Sequence, residues 1–181
     1  MNVLLDVVYV ALLLLVTLAS ALLSVLAWRR PVPALVFAAG GAVAAALLLA
    51  AVPAGDPGFA LDALISVLAL LAAVVGGGPA ATLALRLATR DSVEGSHGGI
   101  MQGDDEVLRG GTAIGLLERL ATAGALLAGF PEGLAVLVAV KGVGRFTELD
   151  GAAPRERFII GTLTSLIWSA ACAGIAMLAR S

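Results

Sequence analysis

The stretch VLLDVVYVALLLLVTLASALLSVLAWRRP, residues 3–31, decides the fold. After Asp6 it carries no charged side chain until Arg29. As a helix, residues 3–28 extend about 39 Å at 1.5 Å per residue, enough to cross a hydrocarbon core about 30 Å thick. The stretch ends on Trp28, Arg29, Arg30 and Pro31. An aromatic followed by two cations marks a membrane boundary, because the ring suits the headgroup zone and the charges suit water. A secretion signal has a shorter apolar core and a basic leader, whereas here Asp6 stands in the leader position. The segment therefore reads as an anchor that stays.

The rest of the chain agrees with that solvent. Of 181 residues, 60% are hydrophobic and 13% charged, and the mean hydropathy is +1.05. Soluble domains run near 45–50% apolar and about 25% charged, so too little polar surface is left here to face water. A closed barrel would alternate apolar and polar residues along strands of about ten positions. The runs here are continuous and rich in Leu and Ala. The expected fold is all-α, a polytopic transmembrane bundle of about six helices.

Helix two is expected over residues 34–52, ending at the turn Pro53-Ala54-Gly55-Asp56-Pro57-Gly58. Residues 59–90 are over-long for one span. Gly76-Gly77-Gly78-Pro79 interrupts them, and Pro79 lacks the N–H that a continuous ladder uses. We read a span to about Gly78 followed by a short interfacial helix carrying Arg86 and Arg90, with a single kinked helix as the alternative. Residues 91–109 are polar, with four glycines and Asp104-Asp105-Glu106, and read as a cytoplasmic loop. That loop separates an N-terminal half, residues 1–90, from a C-terminal half, residues 110–181. Helices four to six are expected over residues 112–128, 134–147 and 158–178, with residues 147–157 joining the last two. The halves share no convincing internal repeat, so the inverted symmetry of many transporters is not supported.

Cations set the orientation. Ten of the eleven Lys and Arg, all but Arg180, fall on the side of the polar loop. By the positive-inside rule that side is cytoplasmic and both termini are extracytoplasmic, in a bacterial cytoplasmic membrane. The formal net charge of −2 offers no basic field for nucleic acid. With one cysteine, Cys172, and one histidine, His97, no disulfide and no His/Cys metal cluster forms within the chain, and no cofactor is implied. His97 reads as a solvated loop residue, and Asp6 and Asp62 as outer-interface residues.

The informative charges are Glu118 and Arg119 in helix four and Lys141 and Arg145 in helix five. Glu118 lies about 10 Å inside its helix, where an ionised carboxylate costs several kcal/mol unless paired or wetted. Lys141, Arg145 and Glu148 share one helical face at i, i+4 and i+7. Gly111, Gly115, Glu118 and Thr122 share another, and small residues at that spacing let backbones approach. Helix six adds Thr162, Ser165, Ser169 and Cys172 as a mildly polar stripe, and Glu156 and Arg157 precede it. A cytoplasm-facing charged cavity between helices four, five and six satisfies these patterns. Each feature also has a structural reading: an interhelical ion pair fixes packing, Lys141 and Arg145 anchor a helix end, and hydroxyls bridge neighbouring helices.

The same residues carry a resemblance. The runs Gly111-Thr112-Ala113-Ile114-Gly115-Leu116-Leu117-Glu118-Arg119, Lys141-Gly142-Val143-Gly144-Arg145-Phe146 and Glu156-Arg157-Phe158-Ile159-Ile160-Gly161-Thr162-Leu163-Thr164-Ser165 resemble a signature of bacterial integral-membrane proteins of unknown function. Those proteins carry a Gly-x-x-Ile-Gly-x-Leu-Glu-Arg helix, a Lys-x-x-x-Arg-Phe helix and a last helix opening on Ile-Gly-Thr-Leu. The match covers residues 110–169 only. It implies an integral membrane protein and no established activity, and it singles out Glu118, Arg119, Lys141 and Arg145.

Three function classes follow. The first is binding or translocation of a small anionic solute or a lipid headgroup by the cationic cluster, since guanidinium and ammonium groups suit phosphate. The second is a non-catalytic assembly module whose ion pairs fix helix packing, a homo-oligomer or a membrane partner. A lipid-phosphate enzyme ranks last, because the helices offer neither paired acids for magnesium nor a nucleophile–base pair.

Overall fold

The computed structural model describes residues 3–52, 57–88, 111–144 and 152–180. They form six α-helices: α1 Val3–Arg29, α2 Pro33–Ala50, α3 Phe59–Ala88, α4 Gly111–Leu127, α5 Gly133–Gly144 and α6 Ala152–Ala179. No strand occurs among the described residues. Four helices, α1, α2, α3 and α6, are long and apolar enough to cross a membrane; α5, at 12 residues, is a shorter apolar helix.

Side-chain size sorts between inside and outside. The interior is built from small residues, including Ala21, Ala39, Ala46, Ala69, Ala72, Ala73, Ala173 and Ala176, with few large ones such as Leu13, Ile65 and Ile175. Leu15, Phe37, Leu48, Val67, Val140 and Ile167 face outward. In water this exposed surface would be a severe liability. In lipid, which is as apolar as Leu, helices associate instead by close packing of small residues. Hydroxyls within the bundle bond back to their own helices: Thr17 Oγ1 donates to Leu13 O (2.7 Å), Ser20 Oγ to Thr17 O (2.8 Å) and Ser24 Oγ to Ser20 O (2.7 Å). That satisfies polar groups where no water is at hand.

The helix pair α3 and α6 forms the centre. Helix α1 packs on α2 and α3, α4 bridges α3 and α6, and α2 also meets α6. The segments on either side of residues 91–109 thus interleave in one bundle. Helix α5 packs chiefly on α4 and buries no residue completely. The turn between them is closed by Gly129 at φ +72° and by Phe130 N–H donating to Ala125 O (2.8 Å). Glycine at the left-handed position after a helix lets the last carbonyls find donors.

Two expected boundaries change. Helix α3 is one continuous 30-residue helix with Pro79 inside it, so the single-helix alternative holds and not a span followed by an interfacial helix. Helix α6 starts at Ala152, six residues before the expected start, so Glu156 and Arg157 are helical instead of part of a connection. Pro154, a loop signal in the sequence, sits in its first turn, where a missing N–H costs nothing. The loop 91–109 lies outside the described residues.

Candidate functional site

Helix α3 explains the site. Its triple glycine, residues 76–78, is buried in mid-helix together with Pro79. A β-carbon on Gly76 would fall 2.6 Å from the Trp168 ring, and one on Gly77 would overlap Cδ of Arg119. The glycines therefore form a groove that holds one large side chain from α6 and one from α4. The indole of Trp168 also lies against Gly40 of α2, and its Nε1 donates to Ala72 O (3.0 Å). One ring thus joins α2, α3 and α6.

Arg119 is buried, at 4% exposure. Its Nε donates to Val74 O at 2.6 Å, and its Nη2 is buried without a hydrogen-bond partner. Val74 stands twelve residues from Asp62 and twelve from Arg86, so the guanidinium meets α3 about 18 Å from either charged end. The contact falls on the turn that Pro79 disturbs, since a residue without N–H leaves the Val75 carbonyl without its ladder donor. The guanidinium also lies 3.1 Å from where a Gly115 β-carbon would be. Gly115, expected to admit a neighbouring backbone, instead makes room for this side chain.

Glu118, the preceding residue, pairs with Lys141 of α5. Both groups are largely buried, with side-chain exposures of 14% for Glu118 and 21% for Lys141. The Lys141 ammonium also lies 5.9 Å from the Phe158 ring centroid, within cation–π reach. Glu118, Arg119 and Lys141 line a cleft with Leu137, Val138, Thr162, Ser165 and Leu166. Its floor is α4 and its sides are α5 and α6. The enclosed part has room for about one water molecule.

The expected cluster thus divides. Glu118, Arg119, Lys141, Thr162 and Ser165 come together. Thr122 is buried on α4 but bonds to Glu118 O (2.8 Å), within its own helix. Glu156 is exposed, and neither it nor Arg157 lines the cleft. Arg157 Nε is buried without a hydrogen-bond partner. Gly111 opens α4 at a half-buried position. Arg145 and Glu148 lie outside the described residues.

Two features of the site are not among those the sequence singles out. In sequence Gly76 and Gly77 read as a break, and Trp168 reads as one more apolar residue of the last helix. A bulky aromatic three residues after Ser165 and a glycine run at mid-span are the signals that pair them. The second feature lies at the opposite end. Arg180 Nε pairs with Asp62 Oδ2 (3.3 Å), and Arg180 Nη2 donates to Ser66 Oγ (2.6 Å). Among the described residues no group of three His, Cys, Asp or Glu is placed to hold a metal.

Comparison of the chain with protein-family models, with curated proteins and with solved structures finds no match.

Proposed function

We propose that this chain is a multi-pass protein of the bacterial cytoplasmic membrane that binds an anionic group, from a small solute or a lipid headgroup, in the cleft between α4, α5 and α6. The observation that carries the reading is the unpartnered Nη2 of Arg119, a cation at 4% exposure. One carbonyl bond to Val74 satisfies one N–H but does not balance the charge. An ion at such depth costs several kcal/mol unless something neutralises it, and the one carboxylate lining the cleft, Glu118, is already shared with Lys141. A bound anion would complete the site. The positive-inside pattern supports entry from the cytoplasmic side.

The test is native mass spectrometry of anionic lipid retained by the purified protein, together with anion flux in proteoliposomes. Arg119→Met is expected to lose retention or flux while keeping its helical content. Unchanged retention and flux in a folded Arg119→Met protein would defeat the reading.

A second reading, a non-catalytic assembly module, draws on the closed Glu118–Lys141 pair. The exchange Glu118→Lys with Lys141→Glu separates the two. Under the assembly reading it restores folding and function together, whereas under anion binding it restores folding alone.

A further inference from the structure

A second depression, sharing no residue with the α4–α5–α6 cleft, lies where α1 ends, α2 begins and α3 ends. Pro31, Pro33 and Val36 line it from the α1–α2 connection and the first turn of α2, and Thr82, Leu83 and Arg86 from the last turns of α3. Arg86 is exposed at its edge, and Arg29 and Arg30, also exposed, stand just before Pro31. This is an end of the bundle that the positive-inside pattern assigns to the cytoplasm.

The positive charge here has no local counterpart. Among the described residues no carboxylate lines the depression. The acids of α1 and α3, Asp6 and Asp62, stand in the first turns of those helices. They lie about 35 Å along the helix axes from Arg29 and Arg86, well beyond a screening length of about 8 Å. Helix α2 adds to the same field. It opens with no side-chain cap and no acidic residue in its first turn, so the positive end of its dipole is uncompensated.

Thr82 distinguishes a polar occupant from an acyl chain. The residue is 3% exposed, and its hydroxyl has no hydrogen-bond partner, whereas those of Thr17, Ser20 and Ser24 bond back into their own helix. A hydrocarbon chain packed here would leave the depression with a buried, unsatisfied hydroxyl and three unneutralised cations around it. The enclosed part has room for about one water molecule, so a headgroup sits at the mouth, beside Arg86. Phe37, one turn past Pro33 on α2, is exposed and offers apolar surface to the chains that follow the headgroup.

We propose that this depression is a second binding site, which holds the phosphodiester of an anionic glycerophospholipid at its mouth, with Arg86 as the direct contact and Arg29 and Arg30 supplying the surrounding positive potential. A guanidinium meets a phosphate through two parallel N–H bonds, and basic pockets between membrane helices on the cytoplasmic side suit such headgroups. A zwitterionic lipid brings an ammonium that no carboxylate in the lining can receive, so the site selects lipids that lack one.

The experiment is native mass spectrometry of the full-length protein released from nanodiscs of equal parts phosphatidylcholine and phosphatidylglycerol, followed by titration of each lipid into the delipidated protein. Retention of phosphatidylglycerol in preference to phosphatidylcholine is the expected result. Arg86→Gln is expected to weaken it by about tenfold or more, and Arg29→Gln by about fivefold. Arg86→Lys keeps the charge but not the paired N–H groups, and is expected to recover part of the loss. The lipid that Arg86→Gln removes is expected to persist in Arg119→Met, which separates this site from the cleft whatever becomes of the reading proposed for the cleft. Equal losses at Arg86 and Arg29 overturn the proposal, because the attraction is then diffuse. Retention that depends on Arg119 and not on Arg86 also overturns it and leaves the cleft reading standing. Displacement by soluble glycerol phosphate as readily as by phosphatidylglycerol overturns it as well, since the ligand is then a free phosphate ester.

Discussion

At the scale of single residues, the contact surface of Gly76 and Gly77 is the best-defined feature of the bundle. Adding one methyl at Gly76 puts carbon 2.6 Å from an indole wedged between α2 and α3, a ring with little freedom to yield. Gly41, one residue from the other side of that wedge, has nothing within 4 Å of its added β-carbon. Gly76→Ala is therefore expected to destabilise by about 1–3 kcal/mol through overpacking, and Gly41→Ala by less than about 0.5 kcal/mol. Unfolding midpoints in a graded SDS series check the difference; equal midpoints would show that Trp168 does not dock there. The residues that carry charge are legible in the sequence, because an ion inside an apolar run is conspicuous. Their partners are legible only in part. Glu118 with Lys141 follows from burial cost and facing helices, but Arg119 with Val74 and Arg180 with Asp62 do not. A backbone carbonyl leaves no mark in sequence, and nothing local links Arg180 to a residue as distant along the chain as Asp62.

Elements are legible where composition changes sharply and ambiguous where it does not. The ends of α1, α2 and α4 fall within two residues of expectation, since cations, prolines or glycines stop an apolar run there. Helix α3 departs from expectation because proline breaks a helix more readily in water than inside a bundle. There, neighbouring helices can shelter the break, and here Arg119 and Trp168 pack against the glycines just before Pro79 and bond to the carbonyls of Val74 and Ala72. Helix α5 differs from the rest in having no fully buried residue and in resting chiefly on α4. Its side of the cleft is accordingly held by the Lys141–Glu118 pair and the Phe158 contact rather than by packing. Spin labels at Val138 and Ile167 should therefore report a broader distance distribution between α5 and α6 than labels at Val67 and Ile167 report between α3 and α6. All three positions face outward, and Cys172, at 0% exposure, stays unlabelled. Lys141→Met should broaden the α5–α6 distribution further. Equal widths before and after that change would mean that packing, not the ion pair, fixes α5.

For the whole molecule, helix length sets which helices are long enough to cross a membrane. Helices α1, α2, α3 and α6 exceed or approach the length a bilayer requires. Helix α4 spans about 25 Å with 17 residues, and α5 about 18 Å with 12. Even with the three further residues that sequence assigns to helix five, α5 reaches only about 22 Å, short of a core about 30 Å thick. A hairpin that enters and returns on one side leaves the chain on the same face as two full crossings would. Both arrangements therefore give the same orientation to the termini and to residues 91–109, and the positive-inside count does not tell them apart. The turn between α4 and α5 does. We expect it to stop short of the far surface, with α4 and α5 forming a re-entrant hairpin beside four crossing helices. A cysteine at Glu132, an exposed position in that turn, should then resist a membrane-impermeant maleimide applied from the extracytoplasmic side, while a cysteine at Phe59, 91% exposed at the start of α3, should react. Labelling of both positions from that side would establish six crossings and place the cleft between full-length spans. Labelling of Phe59→Cys alone would establish the re-entrant hairpin, with Arg119 still held at mid-span of α3 through Val74.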